Sequence, residues 1–207
     1  LHTEASINLA DDDELLELFV RANIRTVFIG IETPNPESLQ ETRKLQNLNR
    51  TDRKSQGAPT DHDCKTFLLK KIHKIQSYGI KVTCGLIVGF DSDTKDIFDA
   101  QKRLIEHSGI PQSMVGLLSA IPKTPLHARL LRDQRLDLKD PPDFGTNVIP
   151  LRMSREQLAE GYLQLILEIY DPKAYFSRLD ELYIHRRFYQ YAEDIRVPKI
   201  PRRTQIR

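Results

Sequence analysis

Four places in this 207-residue chain bring together residue types that could hold or transform a ligand. Glu32 follows the apolar run TVFIGI (Thr26–Ile31) without a break, and a carboxylate there either binds a ligand or caps the helix that follows. GLIVGF (Gly85–Phe90) sets two glycines in an apolar run. Glycine weakens a strand interior, so the pair marks either close approach of a backbone or bound molecule, or a bulge that lets strand and helix pack. Gly89 leads straight into Asp91, Ser92 and Asp93. The stretch Ser119–Lys123 ends a further apolar run, MVGLLSA, and a fourth place lies just after Leu9. Each sits where a parallel strand would end, and parallel βα architectures place their ligands at the carboxyl ends of the strands.

Other chemistries find little support. No Gly-Lys-Ser or Gly-Lys-Thr follows the glycines and no GxGxxG occurs, which excludes a P-loop and a dinucleotide fingerprint. His62 beside Cys64 is a weak metal pair. His73 and His107 lie among charged neighbours on helical segments and read as solvated; His127 either lines a site or stands exposed; His185 reads as surface. Cys84, inside a strand, reads as a small core residue rather than a nucleophile. Tyr183, Phe188, Tyr189 and Tyr191 beside Arg186 and Arg187 have the composition of a nucleic-acid surface. Glu181, Glu193 and Asp194 would oppose a phosphate backbone, so the aromatic side is expected to pack onto the rest of the protein.

The elements that must position these residues follow from patterning. Hydrophobic residues are 39% of the chain and charged ones 29%, too apolar for a disordered chain. Lys and Arg number 31 against 29 Asp and Glu, so a net charge of +2 selects neither nucleic acid nor an anionic membrane. No apolar run approaches the roughly 20 residues of a membrane span and no signal peptide opens the chain. Two cysteines cannot build a disulfide framework, which points to a reducing, cytoplasmic setting. The chain opens at Leu1 rather than Met, and a piece of a longer protein is the expectation.

Strands are expected at Glu4–Leu9, Thr26–Ile31, Val82–Val88 and Met114–Ala120, the second apolar enough for burial on both sides. Asp11–Asp13 supply cap and first-turn acids to a helix carrying Leu15, Leu16, Leu18, Phe19 and Ala22. Asn35-Pro36 starts a helix running to about Leu48, and Asn49 to Thr60 reads as a polar loop within an insertion, Asn49–Asp63, of unassigned role. Further helices carry Phe67–Ile75, ending near Gly79, and Ile97–Ile105. Strand and helix in alternation imply parallel strands with right-handed crossovers. After Pro122 comes a proline-rich stretch with a short helix near Leu126–Leu131, then a Ser154/Gln157 capping box and a restart at Asp171-Pro172 running through Tyr183. The basic end, Arg196 to Arg207, reads as a disordered terminus rather than a lipid-binding one.

FIGIETPNPESLQETRK (Phe28–Lys44), GIKVTCGLIVGFDSDT (Gly79–Thr94) and MVGLLSAIPKTPLHARL (Met114–Leu130) resemble consecutive segments of radical S-adenosylmethionine enzymes, and most closely the cobalamin-binding subgroup with the hopanoid methylases. NVIPLRMSREQLAEGY (Asn147–Tyr162) and IYDPKAYFSRL (Ile169–Leu179) are similar to that subgroup's helical C-terminal extension. The resemblance implies an α/β fold, the last four parallel βα strands of a partial TIM-type barrel followed by a helical extension. It implies residues 1–122 as barrel, 123–150 as a proline-rich connection, 151–195 as helical extension and 196–207 as basic tail. It carries cofactor contacts onto Gly85, Ile87 and Gly89 of a glycine–isoleucine–glycine pattern and onto Glu32, with Glu4 a lesser candidate. Leu117 and Leu118 would lie beside the adenine. The acid that ends the pattern in the family falls on Ser92, and Asp93 is the nearest carboxylate.

The family builds a [4Fe–4S] cluster on a CxxxCxxC loop, and the cluster cleaves S-adenosylmethionine to a radical. Cys64 and Cys84 do not have that spacing, and the loop and the cobalamin-binding domain would lie upstream. The implied protein is therefore part of a radical methyltransferase, cobalamin-dependent and acting on a small-molecule or lipid substrate. The chain alone is expected to be inactive, with the missing barrel part as its partner. An exposed edge on Glu4–Leu9 would favour self-association. A non-catalytic relic or binding module that keeps the pocket is the alternative. A phosphate-binding barrel enzyme is a poorer one, because Ser119–Lys123 is no phosphate loop.

Overall fold

The structure, a computed structural model, describes residues 1–48, 61–139 and 141–190, with residues 61–63 as backbone only. The loop Asn49 to Thr60, the His62 side chain and everything after Gln190, including the basic tail, lie outside the described residues. Four strands, β1 (His2–Ala5), β2 (Thr26–Glu32), β3 (Lys81–Val88) and β4 (Ser113–Leu117), form one sheet in the order β1-β2-β3-β4, and every pair is parallel. The α/β class and the parallel crossovers are as the alternation requires.

Helices cover one face. α1 (Asp13–Arg21) joins β1 to β2, α2 (Pro36–Glu41) and α3 (Asp61–Ser77) join β2 to β3, and α4 (Asp96–Ser108) joins β3 to β4. Val27, Ile29 and Ile31 of β2 and Val82, Leu86 and Val88 of β3 point under them and are fully or almost fully buried. Burial of each such side chain contributes about 1.5–3 kcal/mol, which sets the register of the sheet. The opposite face carries Phe28 and Gly30 of β2 and Thr83, Gly85 and Ile87 of β3, all half-buried. Burial of β2 on both sides is thus corrected to one buried and one half-open face.

The first expected strand is also corrected. β1 stops at Ala5, and Ile7–Asp11 is a 3₁₀ turn capped by Ser6, whose side chain accepts from the Asn8 N–H. Ile7 and Ala10 are three apart and so share a face of a 3₁₀ turn; both are buried. Asp12 caps α1, accepting the Leu15 N–H at 2.9 Å, a contribution of about 1 kcal/mol. Asn35 caps α2 with Pro36 in the first turn, but α2 ends at Glu41, and only a 3₁₀ turn at Leu45–Asn47 follows before Leu48. The last residues of the Asn49–Asp63 insertion are helical, since α3 starts at Asp61. β4 is shorter than expected, ending at Leu117 rather than Ala120.

The C-terminal part is α5 (Pro125–Arg132), α6 (Arg155–Ile169) and α7 (Pro172–Leu179), followed by a π turn at Asp180–His185 that takes the chain past Tyr183. The Ser154/Gln157 capping box opens α6. Leu158, Leu165 and Ile169 bury against the βα core, and a Cβ on Gly161 would fall within 2.2 Å of the Phe98 ring on α4, so the two helices meet closely there. Phe188 is buried and packs edge-on to Tyr183 at 4.9 Å, but Tyr183 and Tyr189 are exposed, so the inward packing expected of the aromatic stretch holds for Phe188 and not for those two. Arg155 ties the proline-rich connection to α6 through Asp137 at 2.8 Å and the Asp143 and Thr146 carbonyls.

Candidate functional site

The carboxyl ends of β2, β3 and β4 open onto a cavity of about 680 Å³ bounded by Glu41, Arg43, Phe90, Leu118, Leu126 and Arg129. Its walls come from the C-terminal end of α2, the turn after β3, the exit of β4 and the first turns of α5. Thr124 caps α5 by accepting the His127 N–H at 3.2 Å; Pro125 and Leu126 follow it into the wall. His127 itself is half-buried and does not line the cavity. A larger groove, about 810 Å³, lies at the amino ends of the strands among Phe28, Met114, Tyr170, Tyr175 and Phe176. It is apolar and remote from the loops that gather charged side chains, whereas the rim cavity has them in its walls.

The β3 exit turn is held open by geometry that only some residue types allow. Gly89 has φ +104°, a conformation L side chains avoid, and a Cβ there would lie 3.2 Å from Leu158 Cδ2 and 3.6 Å from Leu118 Cβ. Gly85 serves differently: a Cβ on it would stand 3.0 Å from Phe28 Cζ, so the glycine makes room for the Phe28 ring on the half-open face. Ile87 packs with the small cluster of Phe90, Leu118, Ala120, Leu130 and Val148, and its carbonyl accepts from Gln101 Nε2 at 2.8 Å. Leu118 belongs to that cluster and lines the cavity, while Leu117 packs with the main core. The structure therefore brings Gly89, Ile87 and Leu118 together and sends Leu117 elsewhere.

Glu32 ends β2 in the left-handed region, φ +67°, which is uncommon away from glycine. The register slips between Gly30 and Glu32, so the bulge lies in β2 rather than in β3. The Glu32 carboxylate folds back over Gly30 and pairs with Lys44 at 2.8 Å, next to the Arg43 that borders the cavity. Asn47 Nδ2 braces the bulge through the Gly30 and Ile31 carbonyls at 3.2 and 2.7 Å. Capping of α2 falls to Asn35, which accepts the Glu37 N–H at 2.9 Å, and not to Glu32. Glu4 is exposed in the middle of β1, in register with Phe28 and away from the rim.

Asp93 is almost fully buried. Its Oδ2 accepts the Gly89 and Phe90 N–H groups at 2.9 and 3.0 Å, and its Oδ1 accepts Ser38 Oγ at 2.9 Å and Asn35 Nδ2 at 3.4 Å. Burial pushes its pKa up, against the pull of those hydrogen bonds. All its acceptor capacity is engaged within the chain.

A charged chain that no spacing announced runs beside the cavity. Arg129 donates to Asp91 and, at 3.2 Å, to Glu41, while Arg135 donates to Asp91 at 2.7 Å. Burial raises the Asp91 carboxyl, but the hydrogen bonds from Arg135 and Arg129 outweigh it and hold the group below its ordinary value. Glu41 is shifted the other way, chiefly by burial and then by the Asp91 charge. Two acids with opposite shifts on one arginine give the wall both an acceptor and a cation.

Metal chemistry has no centre among the described residues, where no three His, Cys, Asp or Glu side chains gather to hold an ion. Cys64 and Cys84 are buried, and burial pushes the Cys84 thiol up to about 12 despite a hydrogen bond to Ser113. Both belong to the main core, as expected of Cys84.

Residues 124–205 match a family described as a domain of unknown function, DUF4070. The chain is 35% identical over 181 residues to an uncharacterized methyltransferase of Synechocystis, covering 86% of this chain and 31% of that protein. It is 33% identical over 185 residues to the hopanoid C-2 methylase of Rhodopseudomonas palustris, covering 89% of this chain and 32% of the methylase. A bacteriochlorophyllide d C-12(1)-methyltransferase of Chlorobaculum tepidum is 26% identical over 175 residues, 84% of this chain and 35% of the relative. The chain thus spans about a third of the length of the curated relatives it matches.

Proposed function

We propose that the chain belongs with the hopanoid-methylase-like proteins, read as B12-binding radical S-adenosylmethionine methylases, that it is the C-terminal part of such an enzyme and that its rim cavity receives the adenosyl half of S-adenosylmethionine; the matches to methyltransferases support this reading. The observation that carries this reading is the cavity at the carboxyl ends of β3 and β4, walled by Phe90 and Leu118 and flanked by Glu41 and Arg129. Its apolar walls suit a base, and its two charged neighbours suit the polar edge of a nucleoside. When bound, the cofactor supplies hydrogen abstraction from an unactivated carbon. The chain's own part is to orient the base against Phe90 and Leu118, exclude water there, and hold Glu41 and Arg129 in place at the border of the cavity.

An iron–sulfur cluster does not fit this chain. Thiolates are its ligands, the chain has only Cys64 and Cys84, and both are closed in the core. We assign the cluster, and cobalamin with it, to the remainder of the parent protein, the partner that would complete the barrel beyond β1. Anaerobic reconstitution of this chain with iron and sulfide is expected to give no stoichiometric cluster; full cluster absorbance would refute the assignment. The relatives' names speak of a hopanoid and a bacteriochlorophyllide, and a small-molecule or lipid substrate is the reading we adopt. No described helix is long and apolar enough to cross a membrane. A cytoplasmic setting is the reading we adopt from the two free cysteines.

Equilibrium binding of S-adenosylmethionine to the whole natural protein tests the cavity. Leu126→Trp, which fills it, is expected to abolish saturable binding while leaving the Tm within a few degrees. Undiminished binding by that variant would remove the cavity from the reading.

A further inference from the structure

The two strand exits that border the cavity are joined by one buried side chain. Asp93 grips the β3 exit with Oδ2, through the Gly89 and Phe90 amides, and the β2 exit with Oδ1, through Ser38 and the α2 cap Asn35. Asn35 also donates to the Ser92 carbonyl at 3.5 Å, so the same bridge is made twice. The exits are also tied at the surface, by Arg129 between Asp91 and Glu41 and by Arg152 between the Ser92 carbonyl and Glu37, but Asp93 is the buried tie. Gly89 is free to take its left-handed turn and equally free to leave it.

We propose that Asp93 is a positioning residue: it locks the Gly89–Phe90 turn to the start of α2, so that the Phe90 wall and the Glu32 bulge keep one relative geometry when a nucleoside enters. The inference rests on the reading of the rim cavity as the S-adenosylmethionine pocket. Asp93 touches no ligand in this role. Its two oxygens divide the work, and that division is what experiment can separate. Removing the side chain strips two buried amides of their acceptor and frees the Phe90 wall, whereas removing the Ser38 hydroxyl takes one bond from Oδ1 and leaves the amide grip whole.

Three variants of the whole natural protein, D93A, D93N and S38A, are to be compared in equilibrium binding of S-adenosylmethionine, each well below its own Tm. D93A is expected to lose about tenfold in affinity, the factor that corresponds to one ordinary buried hydrogen bond. D93N, which keeps an oxygen for the amides, and S38A are expected to stay within about threefold of the natural protein even where their Tm falls. Natural affinity in folded D93A overturns the proposal, as does a loss in S38A equal to that in D93A. Hydrogen exchange needs neither the ligand nor a folded D93A. In D93N the oxygen left to the amides should keep Gly89 and Phe90 protected, while the NH2 turned toward Ser38 and Asn35 should release the Leu39 amide at the start of α2; loss at Gly89 and Phe90, or none at Leu39, overturns the division between the two oxygens. If the natural protein binds no S-adenosylmethionine, the pocket reading fails, and the exchange result still decides the role of Asp93.

Discussion

Replacing Gly89 by alanine tests how the β3 exit is built, and its expected effect follows from two distances and an angle. At φ +104° an alanine would carry backbone strain of about 1–3 kcal/mol. Its Cβ would also sit 3.2 Å from Leu158 Cδ2, where α6 closes on the sheet, and the leucine would have to yield a few tenths of an ångström at a cost of about 1 kcal/mol. Together these give a destabilisation of about 2–4 kcal/mol. Gly116 on β4 is the matched control, since nothing lies within 4 Å of the Cβ it would gain. Alanine there should stabilise by about 0.4–1 kcal/mol through loss of unfolded-state freedom. Urea unfolding followed by circular dichroism reads both. With a slope of about 3 kcal/mol/M, G89A should lower the midpoint by about 1 M and G116A should raise it slightly. A G89A midpoint equal to the natural one, or a G116A loss as large as that of G89A, would refute the account of the turn.

Other expectations concern the core and the open sheet. Arg178 is almost fully buried and donates to the Ile110 and Ala174 carbonyls at 3.0 and 3.1 Å and to that of Ile169, so R178A should cost about 3 kcal/mol in urea unfolding. R178K should recover less than half of it, because an ammonium cannot fork across three acceptors; full recovery would contradict this. The Cys84 thiol, pushed up to about 12 by burial, stays protonated in the folded protein. Its contribution to stability is complete below the ordinary thiol pKa of about 8.5 and is lost as pH rises toward the folded value. A thiol reagent at mildly alkaline pH should therefore label Cys84 only at the rate of unfolding, and fast labelling of folded protein would be inconsistent. β1 has no partner on its outer side among the described residues, so the chain alone should self-associate, and a monomer at every concentration in light scattering would count against an active edge.

Much of the scaffold was legible because its signals are local. Asn35-Pro36 and Ser154/Gln157 are caps whose partners lie two or three residues away, and β2 and β3 are β-branched runs of strand length. Glu4–Leu9 misled because Ile7 and Leu9 alternate with polar residues as a strand would, while the Ser6 cap and the buried Ala10 belong to a 3₁₀ turn. At the candidate site the glycines were legible as constraints, but what they make room for was not. Gly85 answers to Phe28 and Gly89 to Leu158, contacts made only when the chain is folded. Arg129 meets Asp91 and Glu41 across 38 and 88 residues, and Asp93 meets Ser38 across 55, so no spacing rule could pair them. Asp93 was visible as an acid one place beyond the expected position; that it faces inward was not.

The two edges of the sheet are treated oppositely, and that asymmetry bears on what the C-terminal extension does. At the amino end of β4 the Tyr170 hydroxyl accepts the Ser113 N–H at 3.2 Å and donates to the Ser113 carbonyl at 2.8 Å, taking both groups a further strand would need. Past its carboxyl end the Asn147 amide does the same for Ala120, at 2.8 and 2.9 Å, and Thr146 Oγ1 donates to the Leu118 carbonyl. Side chains from the connection and from the residue that ends α6 thus stand at the two ends of β4 where strand pairing would otherwise continue, a common way to blunt an edge. β1 receives no such cover from the described residues. β4 is thus blocked at its two ends, while β1 is uncovered among the described residues, which makes β1 the more open edge. On the proposed reading, the extension does more than append helices: by blocking the ends of β4 it leaves β1 as the more open edge for the rest of a barrel to join, and Leu118, whose carbonyl Thr146 holds, faces the cavity.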